Sequence, residues 1–317
     1  MPDHENAYAG LLGDDGSDGG ESQWAFGTSL DLPTEDPLAG VDATVPEGAD
    51  AAALAAYCLM LGDDALVYAH RLSEWTSNAP DLEEDIALAN IALDLLGQAR
   101  LLLSRAAAAD PSVVPVLPPG SPVPPEDALA FFRDEAAFRN VRFVEPPSLT
   151  DGGDFAVTMV RLLVFSSCRL ALMERLTASR DAVLAAVAAK AVKELTYHRD
   201  HAGRWVLTLA RGTDESRSRL LAALALVWPL HDEMFRTHPV ERLVAEQGLG
   251  VDPAGLEAEV GVVLDQVLSV SGVDRPQVPQ SGPVAGGAGR HGRHTEAMGR
   301  LLAEMQVVAR AHPSGRW

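Results

Sequence analysis

AVKELTYHRDHAGRW, residues 191–205, is the stretch on which the fold turns. Glu194, His198 and His201 recur at four- and three-residue steps, so on a helix they share one face. That is how the ligands of a carboxylate-bridged metal site are spaced, and the stretch is either a working site or the remains of one. It also carries an apolar stripe. Leu184, Ala188, Ala191, Leu195, His198, Ala202, Trp205 and Leu209 predict a core-facing helix over about 181–211. Gly212 is placed to end it and Thr213 to cap its successor.

The same period runs through most of the chain. Leu54, Cys58, Leu61, Ala65, Tyr68, Leu72 and Trp75 form one stripe. After Pro80, Asp81 can cap a second helix, with Glu84 as its capping-box partner; Leu88, Ile91, Leu95, Gln98 and Leu102 face inward from it. Asp151-Gly-Gly-Asp154 opens a third long helix, which presents Phe155, Met159, Leu162, Ser166, Arg169, Met173 and Leu176. Between the second and third, residues 110–125 hold seven prolines and predict an extended linker, followed by a short polar helix at FFRDEAAFRN, 131–140. Further helices are expected at about 214–236, 240–248, 253–270 and 295–311, with a Gly-rich mobile connector at 281–292. The GGAGRHG in that connector follows no strand, so it does not read as a phosphate loop.

Composition agrees with an all-α protein. Apolar residues make up 47% of the chain and aromatics only 5%, with long Ala and Leu runs that favour helix over strand. The formal charge is −20, unevenly spread: residues 1–50 contain 12 acids and no Lys or Arg. They read as a disordered acidic tail, and residues 51–317 as one helical domain. The body lacks the basic stripe that a nucleic acid or an anionic membrane would require. No uninterrupted apolar run reaches the roughly 18–20 residues of a membrane span, and no secretory signal is visible. Cys58 and Cys168 sit in apolar patterns, as free thiols of a cytoplasmic protein do.

Four long antiparallel helices with a crossover between the second and third resemble the ferritin-like bundle. Its di-iron members place one Glu on each of two helices and a Glu-x-x-His on the other two, so that two ions share carboxylates in a dry core. In them the second motif often reads Asp-Glu-x-x-His. On the fourth helix it falls on Glu194, Leu195 and His198; on the second, on Asp94, Leu95 and Gln98. Both bridging carboxylates are leucine. The third helix has no acid between Phe155 and Met173, which puts its slot near Ser166. One His, a Gln and a Ser do not neutralise a pair of hard cations, so the site reads as degenerate. Asp63 and Asp64, near the first-helix slot, read as a solvated or inter-helix polar pair.

Five separated blocks carry a narrower resemblance: YCLMLGDDALVYAHRLSEW (57–75), APDLEEDIALANIALDLLGQARLLL (79–103), FFRDEAAFRN (131–140), AKAVKELTYHRDHAGRW (189–205) and HTEAMGRLLAEMQ (294–306). Together they resemble the C-subunit family of ring-1,2-phenylacetyl-CoA epoxidases, over about residues 51–317. The resemblance implies a non-catalytic subunit without a cofactor of its own. Its implied partner is an A subunit that holds the di-iron centre and epoxidises phenylacetyl-CoA, with B, D and reductase components, in aerobic phenylacetate degradation. The alternative is a catalytic di-iron or di-manganese oxygenase with atypical ligands. Contact with CoA or a partner falls to Arg133, Phe138, Arg139 and Asn140, because Arg pairs with phosphate and aromatics stack on bases. The bland reading pairs Arg133 with Asp134 or Glu135. A second basic cluster is Arg236, His238 and Arg242.

Overall fold

The computed structural model describes residues 38, 40–149, 154–282 and 285–315. Among them it contains nine α-helices and no strand, the all-α, ferritin-like bundle that the stripes predict. α1 (Ala51–Ser73) and α2 (Leu82–Ala109) form one antiparallel pair; α4 (Phe155–Leu176) and α5 (Ala182–Arg211) form the other. α2 packs on α5 to close the bundle. α6 (Asp214–Val227) and α8 (Glu257–Val270) cover α4, and α7 (Pro239–Glu246) lies on α1. α3 (Pro125–Phe131) bridges α2 and the terminal helix α9 (Glu296–Ala311).

Each long helix starts where a side chain can cap it. Asp50, Asp81, Asp154 and Asp181 accept backbone N–H bonds from Ala53, Glu84, Ala156 and Leu184, at 3.0, 2.9, 2.8 and 2.9 Å. These bonds satisfy donors that a helix start otherwise leaves unpaired. The stripes then meet in one core: Leu61 and Tyr68 from α1, Leu95 from α2, Phe165 from α4 and Leu195 from α5 are all buried. Tyr68 and Phe165 lie 4.5 Å apart between centroids, while Trp75, Phe155 and Trp205 stack edge to face at 5.6 and 4.8 Å.

Several expectations need correction. FFRDEAAFRN is not a helix: α3 ends at Phe131, and residues 132–145 run over α1 with two single 3₁₀ turns. The Arg133 side chain and the Arg139 N–H of this stretch bond Asp63 of α1, which draws the chain along that helix instead of into a ladder of its own. The helix expected over 214–236 ends at Val227 and tightens to a 3₁₀ stretch at Trp228–Phe235, where Pro229 removes a backbone donor. Glu84 does not complete a capping box, because its carboxylate sits 3.1 Å from His201 Nε2. The connector at 281–292 lies tight against the body where it is described. A Cβ on Gly289 would stand 1.9 Å from the Asn140 carbonyl oxygen, so only glycine fits that approach.

The acidic tail lies outside the described residues up to 37 and at 39, but its end differs from expectation. Residues 40–50, counted with the tail in the sequence, pack with the helical body. Val41 and Val45 pack on the core, Arg105 donates to the Ala43 and Thr44 carbonyls at 2.6 and 3.3 Å, and Asp50 N–H bonds Gln247 Oε1 at 3.1 Å. The buried Arg105, paired with Asp181, needs those carbonyls to complete its hydrogen bonds. Three helices, α1, α2 and α4, are also long and apolar enough by length and composition to cross a membrane. No apolar run of that length was expected, because Asp63, Asp64 and Arg71 interrupt α1, and Arg161 and Arg169 interrupt α4.

Candidate functional site

The slots laid out on the sequence converge in the bundle, but around a cation. Leu95 and Leu195 are fully buried. Between their helices, Gln98 Nε2 donates to Glu194 Oε2 at 3.0 Å, and Glu194 pairs outward with Lys190. The other end of the Gln98 amide accepts from Arg169 Nε at 2.8 Å, and Arg169 Nη1 donates to the Leu61 carbonyl at 3.2 Å. A polar chain thus runs from Lys190 on α5 through α2 and α4 to α1. Ser166 turns into its own helix, donating to the Leu162 carbonyl at 2.6 Å. The inward polar residue of α4 is therefore Arg169, one turn beyond the expected Ser166. Its charge in a stripe whose only other polar residue is Ser166 was the signal for it.

Burial pushes the Arg169 guanidinium down to about 10, while the Asp64 carboxylate opposes the fall. At neutral pH it remains a cation. The remaining candidates are spent in pairs between α2 and α5: His198 Nε2 lies 3.0 Å from Asp94 Oδ2, and His201 Nε2 lies 3.1 Å from Glu84 Oε2. Among the described residues no three His, Cys, Asp or Glu side chains converge as metal ligands. A di-iron centre needs several carboxylates to neutralise its charge, and here a guanidinium stands beside two leucines. The donor set does not fit that group. Beside Arg169, Asp64 and Arg290 the open space is about 20 Å³, enough for one water.

The acids of α1 serve a different purpose from the one expected. Asp63 and Asp64 are not solvated; they are 0% and 3% exposed. Asp63 takes a two-pronged bond from Arg133 and one from the Arg139 N–H at 2.8 Å. Asp64 takes Arg290 at 3.0 and 2.8 Å and the Val141 N–H at 2.8 Å. Burial works against the Arg290 charge, but Asp64 and Glu241 outweigh it and hold the guanidinium above its ordinary value. Glu145 closes the strap: it accepts from Asn140 Nδ2 at 3.1 Å and from the Thr295 N–H at 2.6 Å, and it faces His294 Nδ1 at 2.7 Å. Sequence reading missed Arg290, Glu145 and His294: Arg290 bonds Asp64, 226 residues away along the chain, and His294 faces Glu145, 149 residues away.

The same contacts place the residues expected to meet CoA or a partner. Arg133 and Asn140 are buried and bonded internally, and Phe138 is 0% exposed, with the Arg133 guanidinium 4.2 Å above its ring. Arg139 is part-buried and donates to the Ala136 and Phe138 carbonyls at 2.7 and 2.8 Å. Arg236 pairs with Asp232, one turn away. His238 caps α7, accepting the Val240 N–H on Nδ1 at 3.2 Å while Glu241 accepts its own N–H at 2.7 Å. Burial first, then His291, Arg290 and Arg139, push its imidazole down to about 4, which keeps that nitrogen an acceptor. Arg242 alone of the seven is exposed. The residues are not gathered into a phosphate clamp. A cleft of about 620 Å³ lies between the Pro-rich segment, α3 and α9, lined by Val123, Phe131, Phe132 and Met305 among others, with no Arg or Lys in its wall.

Residues 40–317 match the family described as phenylacetic acid catabolic protein. Over 268 residues, covering 83% of this chain and 99% of the relative, the sequence is 41% identical to the C subunit of the 1,2-phenylacetyl-CoA epoxidase of Escherichia coli (strain K12).

Proposed function

This chain belongs to the phenylacetic acid catabolic protein family, and we propose that it serves as a partner subunit of a phenylacetyl-CoA epoxidase without chemistry of its own. It pairs with a di-iron A subunit, alongside B, D and reductase components, and it carries no metal. The observation behind this reading is Arg169. A protein cation, bonded to Gln98 and to the Leu61 carbonyl, lies among the slots from which ligands would reach a metal pair. Metal ions supply redox chemistry toward O₂ when bound in such bundles; a guanidinium supplies charge and fixed hydrogen bonds only. In this chain those bonds tie α1, α2, α4 and α5 together, as shared carboxylates would in a metal-binding bundle.

Two free, buried cysteines support a cytoplasmic setting. Burial pushes both thiols well above their ordinary value, so neither serves as a nucleophile. The test has two parts. Elemental analysis after anaerobic Fe(II) loading is expected to find no stoichiometric iron on the isolated chain, and about two irons per chain would end the reading. Co-expression with a tagged A subunit is expected to give a stable complex, and epoxidation of phenylacetyl-CoA is expected to need both proteins. Full activity of A alone would refute it.

A further inference from the structure

α2 is as apolar as α1 and α4 yet far less covered. In the most apolar stretch of each helix, 83% of residues are buried in α1 and 78% in α4, against 44% in α2. The uncovered side carries Leu82, Ile86 and Leu93, exposed by 68%, 54% and 60%, and Tyr197 on the neighbouring α5 is exposed by 52%. Steps of four and seven residues set the three α2 side chains in one line along the axis, the spacing of a seam that receives another helix.

Gly97 continues the line four residues further on. A Cβ there would meet nothing within 4 Å, so no contact inside this chain requires a glycine. Glycine weakens a helix interior, whereas on an apolar line it allows a second helix axis to come close.

The area matches an interface between two protein chains. With residue areas of about 200 Å² and more for Tyr, the four exposed side chains offer about 500 Å². A standard interface takes about 800 Å² from each partner, of which about 57–65% is non-polar, or roughly 450–520 Å². The helical period calls for a helical occupant. Residues 51–317 carry 33 acids against 25 Lys and Arg, a formal −8, and the acidic residues 1–50 add to it, so like charge disfavours a second copy of the same chain.

From these observations we infer that the outer face of α2, from Leu82 to Gly97, is the surface on which a helix of the metal-bearing subunit docks. The inference rests on the partner-subunit reading above and adds the place of contact. Leu93 and Ile86 are its apolar anchors, Gly97 sets the distance of approach, and Tyr197 borders the contact from α5.

The test uses the full chain carrying Leu93→Glu or Gly97→Leu, with Val262→Glu on exposed α8 as a control for added surface charge. Each is titrated against the tagged A subunit, and its melting temperature is recorded alone. Wild type and Val262→Glu are expected to bind alike, and both α2 variants to bind at least ten-fold more weakly. Gly97→Leu is expected to melt no lower than wild type, which separates lost docking from lost folding. Equal binding by all four proteins would overturn the docking face and leave the partner reading standing. Failure of wild type to bind would overturn both. Two further results would overturn the assigned occupant: a wild-type homodimer that Leu93→Glu splits, or binding to phosphatidylcholine vesicles that Leu93→Glu abolishes.

Discussion

Replacing Arg169 with methionine, alone and together with Gln98→Met, probes the cation at the centre of the bundle. The fall of Arg169 from 12.5 to about 10 corresponds to about 3 kcal/mol of unfavourable burial, at 1.36 kcal/mol per pH unit. Arg169→Met removes that cost but strands the Gln98 Oε1 acceptor, which loses its 2.8 Å bond in a dry core; an unpaired buried acceptor costs about 1–3 kcal/mol. The Leu61 carbonyl loses less, since it stays in the ladder of α1. Because the cost removed and the penalty added are of similar size, the single variant is expected to change stability by no more than about 2 kcal/mol in either direction. The double variant leaves no stranded acceptor and fills the space with apolar atoms, and Glu194 keeps Lys190. It should be at least as stable as Arg169→Met, with a coupling of about 1–3 kcal/mol. The assay is urea unfolding of the four proteins at pH 7, followed by helix signal and by tryptophan fluorescence. Additivity to within about 0.5 kcal/mol would show that the two side chains do not meet in the folded protein, and the account of Arg169 would fail.

The leucines that stand in the ligand slots give a second expectation: Leu95→Glu and Leu195→Glu each bury a carboxylate and should lower stability by several kcal/mol, read as a depressed melting temperature. An unchanged melting temperature would show that these positions do not face the core. The histidines give opposite pH dependences. The folded value of His238 lies below its unfolded one, so its contribution is lost as pH falls from about 6.5 toward 4; His238→Asn, which still caps α7, should flatten urea midpoints across that range. For His294, burial lowers the pKa but the bond and charge of Glu145 raise it further, so its contribution is complete below about 6.5 and fades as pH rises through the raised value. His294→Gln should therefore lose more stability at pH 6 than at pH 9.

The four long helices were legible because an apolar stripe needs only local spacing, and so was the cap at Asp81, where an acid precedes the stripe. The strap at 131–145 was not. Its Arg133 has acids close by in sequence at Asp134 and Glu135, yet it bonds Asp63, 70 residues away. Nothing in the segment itself shows that its polar groups are claimed from outside, so propensity and charge suggested a free helix with spare arginines. Glu84 failed as a capping partner for the same reason, since His201 lies across the bundle. At the core, substitution of Leu95 and Leu195 could be read directly from the motif spacing, but the replacement charge could not. Arg169 lies in the stripe of the third helix, and only its bond to Gln98 shows that it occupies the middle of the polar chain.

The pairing of Asp64 with Arg290 has a consequence for the growing chain. The two lie 226 residues apart. At about 5–20 residues per second, synthesis separates them by about 10–45 seconds. During that interval α1 already has its apolar stripe and its α2 partner, but one of its inward acids lacks its counter-ion, and the Ala297 carbonyl that receives Arg71 is also missing. The α1–α2 hairpin completes these bonds only once residues 290–297 have emerged, so that late segment acts as the latch on a fold whose first helices are made long before it.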